Sequence, residues 1–443
     1  MSPPVPPVLP GSPSESPLDR AFSLSLSGSH EAALRWALPV LKADPGSAAA
    51  LYLVGRALAG SKKSDAAIRA LSVAAERAID ASMMPLAIAC AQALSSLNAA
   101  SPTLLDAIAT AFSRSSTRFG GAPPPPPMHP AAVQPLADSV AGSELLKLCT
   151  AAIESASTAP KKAGALVRQP FFSALGKAGL KSLIATLEVK SFQRGDKIIE
   201  QGSTGAEAFV IVRGEVDVVR EPVDGRGSAI NLAKLTKGAL FGEMALLSRA
   251  PRAASVVAAK PVVVLVAKRD DLERVAETDP EIANELAIHT RSRMLQNLVR
   301  TSAILSAIDA EERPALIERF QAVSFEPGEH LVKQNQISSG LHLIASGQVS
   351  VLRNDGAEQL EIATLNVGDV VGEVSLILRR PSTADVVAIV PTVSMVLPRE
   401  AFHDIIKTHP TLLAQLYELA VKRDEETSSI VAQEGVQADD LLV

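Results

Sequence analysis

The chain predicts a multidomain α+β protein: an N-terminal all-α module of helical repeats, then two β-roll (jelly-roll-like) domains with flanking helices. Three observations predict it. Ala- and Leu-rich segments near the amino terminus recur at the spacing of a helix pair. The rest of the chain repeats itself once along its length. Within each copy, short runs alternate apolar and polar residues, as half-buried strands do. A length of 443 residues and 47% apolar content suit about three globular domains.

Residues 1–17, MSPPVPPVLPGSPSESP, are Pro/Ser-rich and carry too little apolar surface to offset ordering entropy, so they are expected to be disordered. From 18 to 117 the pattern turns helical. Glu31-Ala32-Ala33-Leu34 recurs one helix pair later as Asp65-Ala66-Ala67-Ile68, and Asp44-Pro45 breaks the chain between helices. Pro85 and Ser101-Pro102 open further helices. This period and order resemble tetratricopeptide helix pairs, although Ile79 stands where a second proline would be expected, and a plain helical bundle is the alternative. The tetratricopeptide resemblance implies a concave face that holds a segment of a protein partner.

Residues 118–167 form the expected linker. Pro123 to Pro127 is a stiff, extended spacer, and Glu144 to Ser157 within the linker is a short helix. The two similar domains follow at 168–295 and 296–425, with a flexible acidic tail at 426–443. Gly195-Asp196 recurs as Gly328-Glu329, and Gly214-Glu215-Val216 recurs at the same offset as Gly347-Gln348-Val349. Past a shorter turn, Gly242-Glu243 recurs as Gly372-Glu373, Pro251 as Pro381 and Pro261 as Pro391, all three at one shared, slightly smaller offset. Asp224-Gly225 and Asp355-Gly356 supply hairpin turns.

The stretch Phe241-Gly242-Glu243-Met244-Ala245, followed by Pro251-Arg252-Ala253-Ala254-Ser255, concentrates the chemistry. Gly242 lets the backbone approach a ligand, and a short helix opening at about Ala245 turns amides toward an anion. Arg252 offers a planar fork that matches two phosphate oxygens. A carboxylate beside a phosphate makes sense only facing a donor, so Glu243 is expected to accept from a ribose 2′-hydroxyl. Ala253 and Ala254 leave room, and Ser255 completes a nest. The bland alternative is a glycine turn with a surface ion pair, an interaction of about 0–1 kcal/mol that would not need this surrounding pattern.

These residues resemble the phosphate-binding cassette of cyclic nucleotide-binding domains, shared by the regulatory subunits of cyclic-AMP-dependent protein kinase, catabolite activator proteins and nucleotide-gated channels. Phe172-Ser173-Ala174-Leu175, Phe192 through Ile199, Gln201-Gly202, Phe209-Val210-Ile211 and Gly214-Glu215-Val216 agree with the family's run into its first strands. The resemblance implies a non-catalytic receptor for cyclic AMP, with cyclic GMP as the second candidate ligand. Ala253 stands where cyclic-GMP-preferring members often carry threonine. It also implies that a helix after the roll, from Pro280 through Leu305, moves with ligand and signals to a protein partner. Lys161-Lys162-Ala163-Gly164-Ala165-Leu166 resembles a kinase-blocking segment with imperfect spacing, and a solvated linker is the simpler expectation.

The second cassette departs where chemistry matters. Ser382 holds the arginine position, Thr383 and Ala384 the alanine positions, Asp385 the final serine position, and Val371 replaces Phe241. This copy is expected to be ligand-silent, with a different ligand reached by Arg379 or Arg380, or weak nucleotide binding, as the alternatives.

A net charge of −5 and 3% aromatic residues argue against a nucleic-acid partner. Beyond Pro410 there is room for one helix through Lys422 and no helix-turn-helix, which disfavours a transcription regulator. The other rival is a ligand-silent scaffold. Cys90 and Cys149 form no disulfide scaffold, and scattered histidines form no metal site, so no cofactor is expected. No catalytic motif points to an enzyme. The longest apolar run, Val262 to Ala267, is strand length, and the amino terminus lacks a signal-peptide order, so a cytoplasmic protein with no membrane partner is expected.

Overall fold

A computed structural model of the chain describes residues 15–120, 133–160, 164–169, 171–221, 229–244, 246, 251–302, 311, 316, 318–355 and 358–440. Pro123 to Pro127, Lys161 to Ala163 and most of the expected disordered leader lie outside the described residues.

Six helices come first: α1 (Pro17–Leu26), α2 (His30–Ala43), α3 (Ala48–Gly60), α4 (Ser64–Asp80), α5 (Met84–Ser96) and α6 (Pro102–Phe112), each packed on the next. Local chemistry sets their ends. The hydroxyls of Ser16, Ser47 and Ser101 accept from the amides of Asp19, Ala50 and Leu104, satisfying donors of the first turn. At four exits Gly28, Lys62, Ser82 and Asn98 take positive φ, and the next amide reaches back to Leu24, Leu58, Ala78 and Leu94. That is the same left-handed helix ending repeated, with a glycine only at the first. Small residues let the helices approach closely. A Cβ on Gly55 would lie 2.7 Å from Leu71.

The start of the helical module differs from expectation. Pro17, placed in the disordered leader, begins α1, because Ser16 supplies the cap. The short helix expected in the linker is present as α7 (Gly142–Thr158), and it packs back on α2 and α4. Buried Arg77 of α4 fastens its end by donating to the carbonyls of Ala156 at 2.6 Å and Pro160 at 2.9 Å.

The first roll follows a 3-10 turn (Phe172–Ala174) and α8 (Lys177–Thr186). Its strands are β1 (Glu188–Phe192), β2 (Lys197–Ile199), β3 (Glu207–Arg213), β4 (Glu215–Arg220), β5 (Ile230–Thr236), β6 (Leu240–Phe241), β7 (Ser255–Ala258) and β8 (Val262–Lys268). They form two antiparallel sheets in the orders β1-β8-β3-β6 and β2-β7-β4-β5. Helices α9 (Arg269–Thr278) and α10 (Glu281–Thr301) close it.

The second roll repeats this plan. Its strands are β9 (Gln321–Phe325), β10 (His330–Val332), β11 (Gly340–Ser346), β12 (Val349–Asp355), β13 (Glu358–Leu365), β14 (Val370–Val371), β15 (Asp385–Ala388) and β16 (Thr392–Pro398). Their orders, β9-β16-β11-β14 and β10-β15-β12-β13, match the first roll strand for strand. Its helices are α11 (Glu373–Leu378), α12 (Arg399–Thr408) and α13 (Pro410–Asp440). The repeated Gly214 and Gly347 share a reason. Both have φ of +91°, and a Cβ would sit 2.5 Å from the Pro261 carbonyl in one and 2.4 Å from Thr392 Oγ1 in the other. The tail differs from expectation, since α13 continues through 426 to Asp440 instead of ending at Lys422.

Helical module and first roll share one core. Val262, Val264 and Val266 face the inside of the roll, while Val263 and Leu265 join a cluster continuous with α1 to α8. A strand buried on both faces reads as an unbroken apolar run, which is why Val262 to Ala267 does not alternate. Polar ties cross the same seam. Arg56 donates to Ser191 Oγ at 2.9 Å, and Gln92 to the Ile184 carbonyl at 2.9 Å. The module is therefore docked on the roll, not held away from it by a spacer as the Pro-rich stretch suggests.

Candidate functional site

In the first roll, β6 delivers Phe241 onto Phe209, ring on ring with centroids 5.2 Å apart. The chain then turns at Gly242, φ +77°, where a Cβ would stand 3.0 Å from the Arg252 guanidinium. Glu243 follows and is 3% exposed. Met244 and Leu246 are helical, Leu246 bonding back to Glu243, whereas Ala245 lies outside the described residues.

The loop before β7 returns beside this turn. Its register is pinned by the amide of Gly202 donating to the Arg252 carbonyl and the amide of Arg252 to the Ser203 carbonyl. The Arg252 guanidinium donates to two main-chain carbonyls, Gly242 and Glu207, at 2.7 Å each. Two anchors fix the plane of the guanidinium and the direction it faces. Ser255 is buried, but its hydroxyl accepts from the Gln201 amide at 3.0 Å, so it braces the loop.

Gly242, Glu243, Met244, Arg252, Ala253 and Ala254 meet around a cavity of about 310 Å³, within the range of small-molecule sites. Sequence reasoning missed several of its other walls. Arg220 lines it, as do Arg293 and Leu298 of α10, and the second roll contributes Ala345, Ser346 and Val367. Arg293 lies 3.6 Å from Glu243. Burial pushes the Glu243 carboxyl above the usual range, and Arg293 and Arg252 pull against it. Burial likewise lowers Arg252, opposed by Glu207 and Glu243.

A signal for Arg293 was present in the sequence. It recurs as Arg423 at the same offset that carries Glu243 to Glu373. In the second roll Arg423 of α13 donates to Glu373 Oε1 at 2.7 Å, so the carboxylate and its cation repeat as a pair.

Two segments match the cyclic nucleotide-binding domain, residues 189–279 and 322–409. The cAMP-dependent protein kinase regulatory subunit of Yarrowia lipolytica is 31% identical over 217 residues, 49% of this chain and 53% of that relative. The chain thus matches about half the length of that curated relative. Among solved structures, the regulatory domain of Toxoplasma gondii PKA with cAMP is 22% identical, covering 57% of this chain and 92% of that one, with a TM-score of 0.29. The Thermus thermophilus catabolite activator protein is 28% identical, covering 29% of this chain and 59% of that one, with a TM-score of 0.27.

In the second roll the backbone of the cassette is kept while its chemistry changes. Asn335 and Ser382 exchange the main-chain bonds that Gly202 and Arg252 make, with Gln336 in place of Ser203. Asp385 Oδ1 accepts from the Gln334 amide at 2.8 Å, the bond that Ser255 makes in the first domain. The Phe209 and Phe241 pair becomes His342 and Val371. Arg379 and Arg380 do not line the second cavity among its described walls, and Arg380 pairs with Asp424. They are therefore not the cations expected to reach in.

Among the described residues no helix is long and apolar enough to cross a membrane, and no group of acidic, histidine or cysteine side chains could hold a metal. Cys90 and Cys149 are buried apart in helices, their thiols pushed up by desolvation, Cys149 to about 12.

Proposed function

We propose that the chain is a non-catalytic cyclic nucleotide receptor whose live site is the first roll. Arg252 receives the cyclic phosphate, Glu243 accepts from the ribose 2′-hydroxyl, and Gly242, Ala253 and Ala254 make space. The single observation that carries this reading is the buried carboxylate and guanidinium, held by separate elements, facing one cavity of about 310 Å³. A surface ion pair would need neither the burial nor the two main-chain anchors on Arg252. Ala253 favours cyclic AMP over cyclic GMP.

The walls supplied by α10 and the second roll give the ligand a way to be felt elsewhere. A ligand that contacts Arg293, Leu298 and Ser346 favours one arrangement of the two rolls if it binds that arrangement better. The relative from Yarrowia lipolytica is a kinase regulatory subunit, which supports a protein partner of the kinase kind. The helical module, read as tetratricopeptide-like, is the surface proposed to hold a partner, and a cytoplasmic location is in keeping with both. Lys161 to Ala163 lie outside the described residues, while Leu166 is buried and its amide bonds to the Arg118 carbonyl. That portion of the kinase-blocking resemblance is held against the module.

Calorimetric titration of the full chain with cyclic AMP and cyclic GMP, beside Arg252→Ala, tests the reading. One site per chain, stronger for cyclic AMP and lost in the variant, is expected. No heat with either nucleotide would move the protein to a ligand-silent scaffold.

A further inference from the structure

The helices of the module divide between two sides. Helices α1, α3 and α5 reach the first roll: Arg213 donates to the Leu18 carbonyl of α1, Arg56 of α3 to Ser191 Oγ, and Gln92 of α5 to the Ile184 carbonyl. Helices α2 and α4 hold α7, which packs on both. Stacked helix pairs bind partners along an extended face. With the α1, α3 and α5 side taken up by the roll, the α2 and α4 side is the one left for a partner segment, and the chain fills it with a helix of its own.

Helix α7 is seated as a ligand helix would be. Its buried residues, Leu145, Cys149, Ala152, Ile153 and Ala156, recur at i, i+4, i+7, i+8 and i+11, a single stripe, while Lys147, Glu154 and Ser155 stay exposed. Small side chains at Cys149, Ala152 and Ala156 let the helix axes approach closely. Polar latches hold both ends. At the start the amide of Gly142 donates to Glu31 Oε1 at 3.2 Å, and Arg35 donates to the Val140 carbonyl at 3.4 Å and pairs with Asp138 at 3.2 Å. At the finish the buried guanidinium of Arg77 takes the carbonyls of Ala156 and Pro160, acceptors that the helix itself leaves open. Residues 121–132 join Gly120 to the start of this segment, a length that spans about 40 Å when extended, so α7 can leave its seat without drawing α6 apart.

We propose that the face of α2 and α4 is a helix-binding groove, that α7 is its built-in ligand, and that a partner occupies it by displacing α7 with an amphipathic helix of the same kind. The stripe and the latch specify that helix: a small or aliphatic residue at i, i+4, i+7, i+8 and i+11, and a free carboxyl-terminal turn for Arg77. Bulky or charged residues in the stripe are rejected, because closely packed helices leave no space for them and a buried charge would stay unpaired. This role rests on the helical module being a partner surface, and keeps that surface closed until a competing helix arrives.

Thiol labelling of the native full chain tests it, because its two cysteines report different openings. Cys149 lies in the α7 stripe and Cys90 in α5, both 0% exposed, so each reacts only when its surroundings open. Undocking of α7 exposes Cys149 and leaves Cys90 covered, so Cys149 should label at least about tenfold faster. A synthetic peptide of residues 138–160 carrying Cys149→Ala traps the vacated groove and raises the Cys149 rate in a saturable way, whereas the same peptide with Ile153→Asp does not. In the chain, Arg77→Met removes the latch and speeds Cys149 labelling at least about tenfold, the loss of hydrogen bonds to a charged group, with Cys90 unchanged. The proposal falls if Cys149 and Cys90 label at the same rate, if the peptide leaves the Cys149 rate unaltered, or if the Ile153→Asp peptide acts equally well. These deciding measurements use the wild type, so none depends on a variant that folds. Such a failure would leave the other faces of the module to hold a partner and would not touch nucleotide binding, so the readings fail separately.

Discussion

Replacing Arg213 with methionine tests whether the helical module and the first roll are one unit. Arg213 ends β3, and its guanidinium donates to the Leu18 carbonyl at 3.2 Å and to Asp19 Oδ1 at 2.6 Å. It also lies 4.7 Å over the Phe22 ring. The two charged side chains are only 14% and 15% exposed, and burial works against the charge on Arg213. Methionine keeps the packing volume and removes the cation, leaving Asp19 buried without it. Breaking such a pair costs about 3–5 kcal/mol, and partial exposure places this one near the lower end, about 3 kcal/mol. That corresponds to a rise of roughly 100-fold in the opening of the seam. Urea unfolding measures the loss, and amide hydrogen exchange across α1 and α2 measures the opening. Asp19→Ala combined with Arg213→Met should cost less than the sum of the two single changes, because no unpaired charge remains. If Arg213→Met lies within about 0.5 kcal/mol of wild type, the range of an ordinary surface change, with α1 exchange unaltered, module and roll are not one unit.

Other expectations follow from single contacts. Arg293→Ala removes the cation 3.6 Å from buried Glu243 and should lower stability by about 1–3 kcal/mol, read by denaturant melts, with faster amide exchange in α10. Gly214→Ala forces a Cβ to within 2.5 Å of the Pro261 carbonyl at positive φ, and should destabilise the first roll by about 1–3 kcal/mol in the same melts. His342 is buried in β11, and desolvation lowers it from 6.5 to about 4. The unfolded chain therefore binds this proton more readily, so stability falls as pH drops from about 6.5 to about 4, by about 3 kcal/mol in all. Thermal melts across that window should be flatter for His342→Phe than for wild type; equal slopes would mean that His342 does not carry the effect.

The sequence determined what depends on local spacing. The helix caps at Ser47 and Ser101, the glycines that must take positive φ, and the internal repeat all follow from steric and hydrogen-bonding rules within a few residues. So did the meeting of Gly242, Glu243 and Arg252, because the turn and the returning loop are close in the chain and the pattern serves one chemistry. The offset linking Arg293 to Arg423 was also legible once Glu243 and Glu373 were paired. Tertiary structure alone decided what depends on which faces meet. Val263 and Leu265 look like any strand residues until the helical module covers them, and α7 reads as a linker helix until Arg77 holds its end. The same limit applies to the cavities. Ser346 and Val367 lie far beyond Arg252 in the chain, and only the placement of the second roll against the first brings them to one wall. Long-range contacts of this kind are set by complementary shape and burial across the whole surface, which no short stretch of sequence encodes.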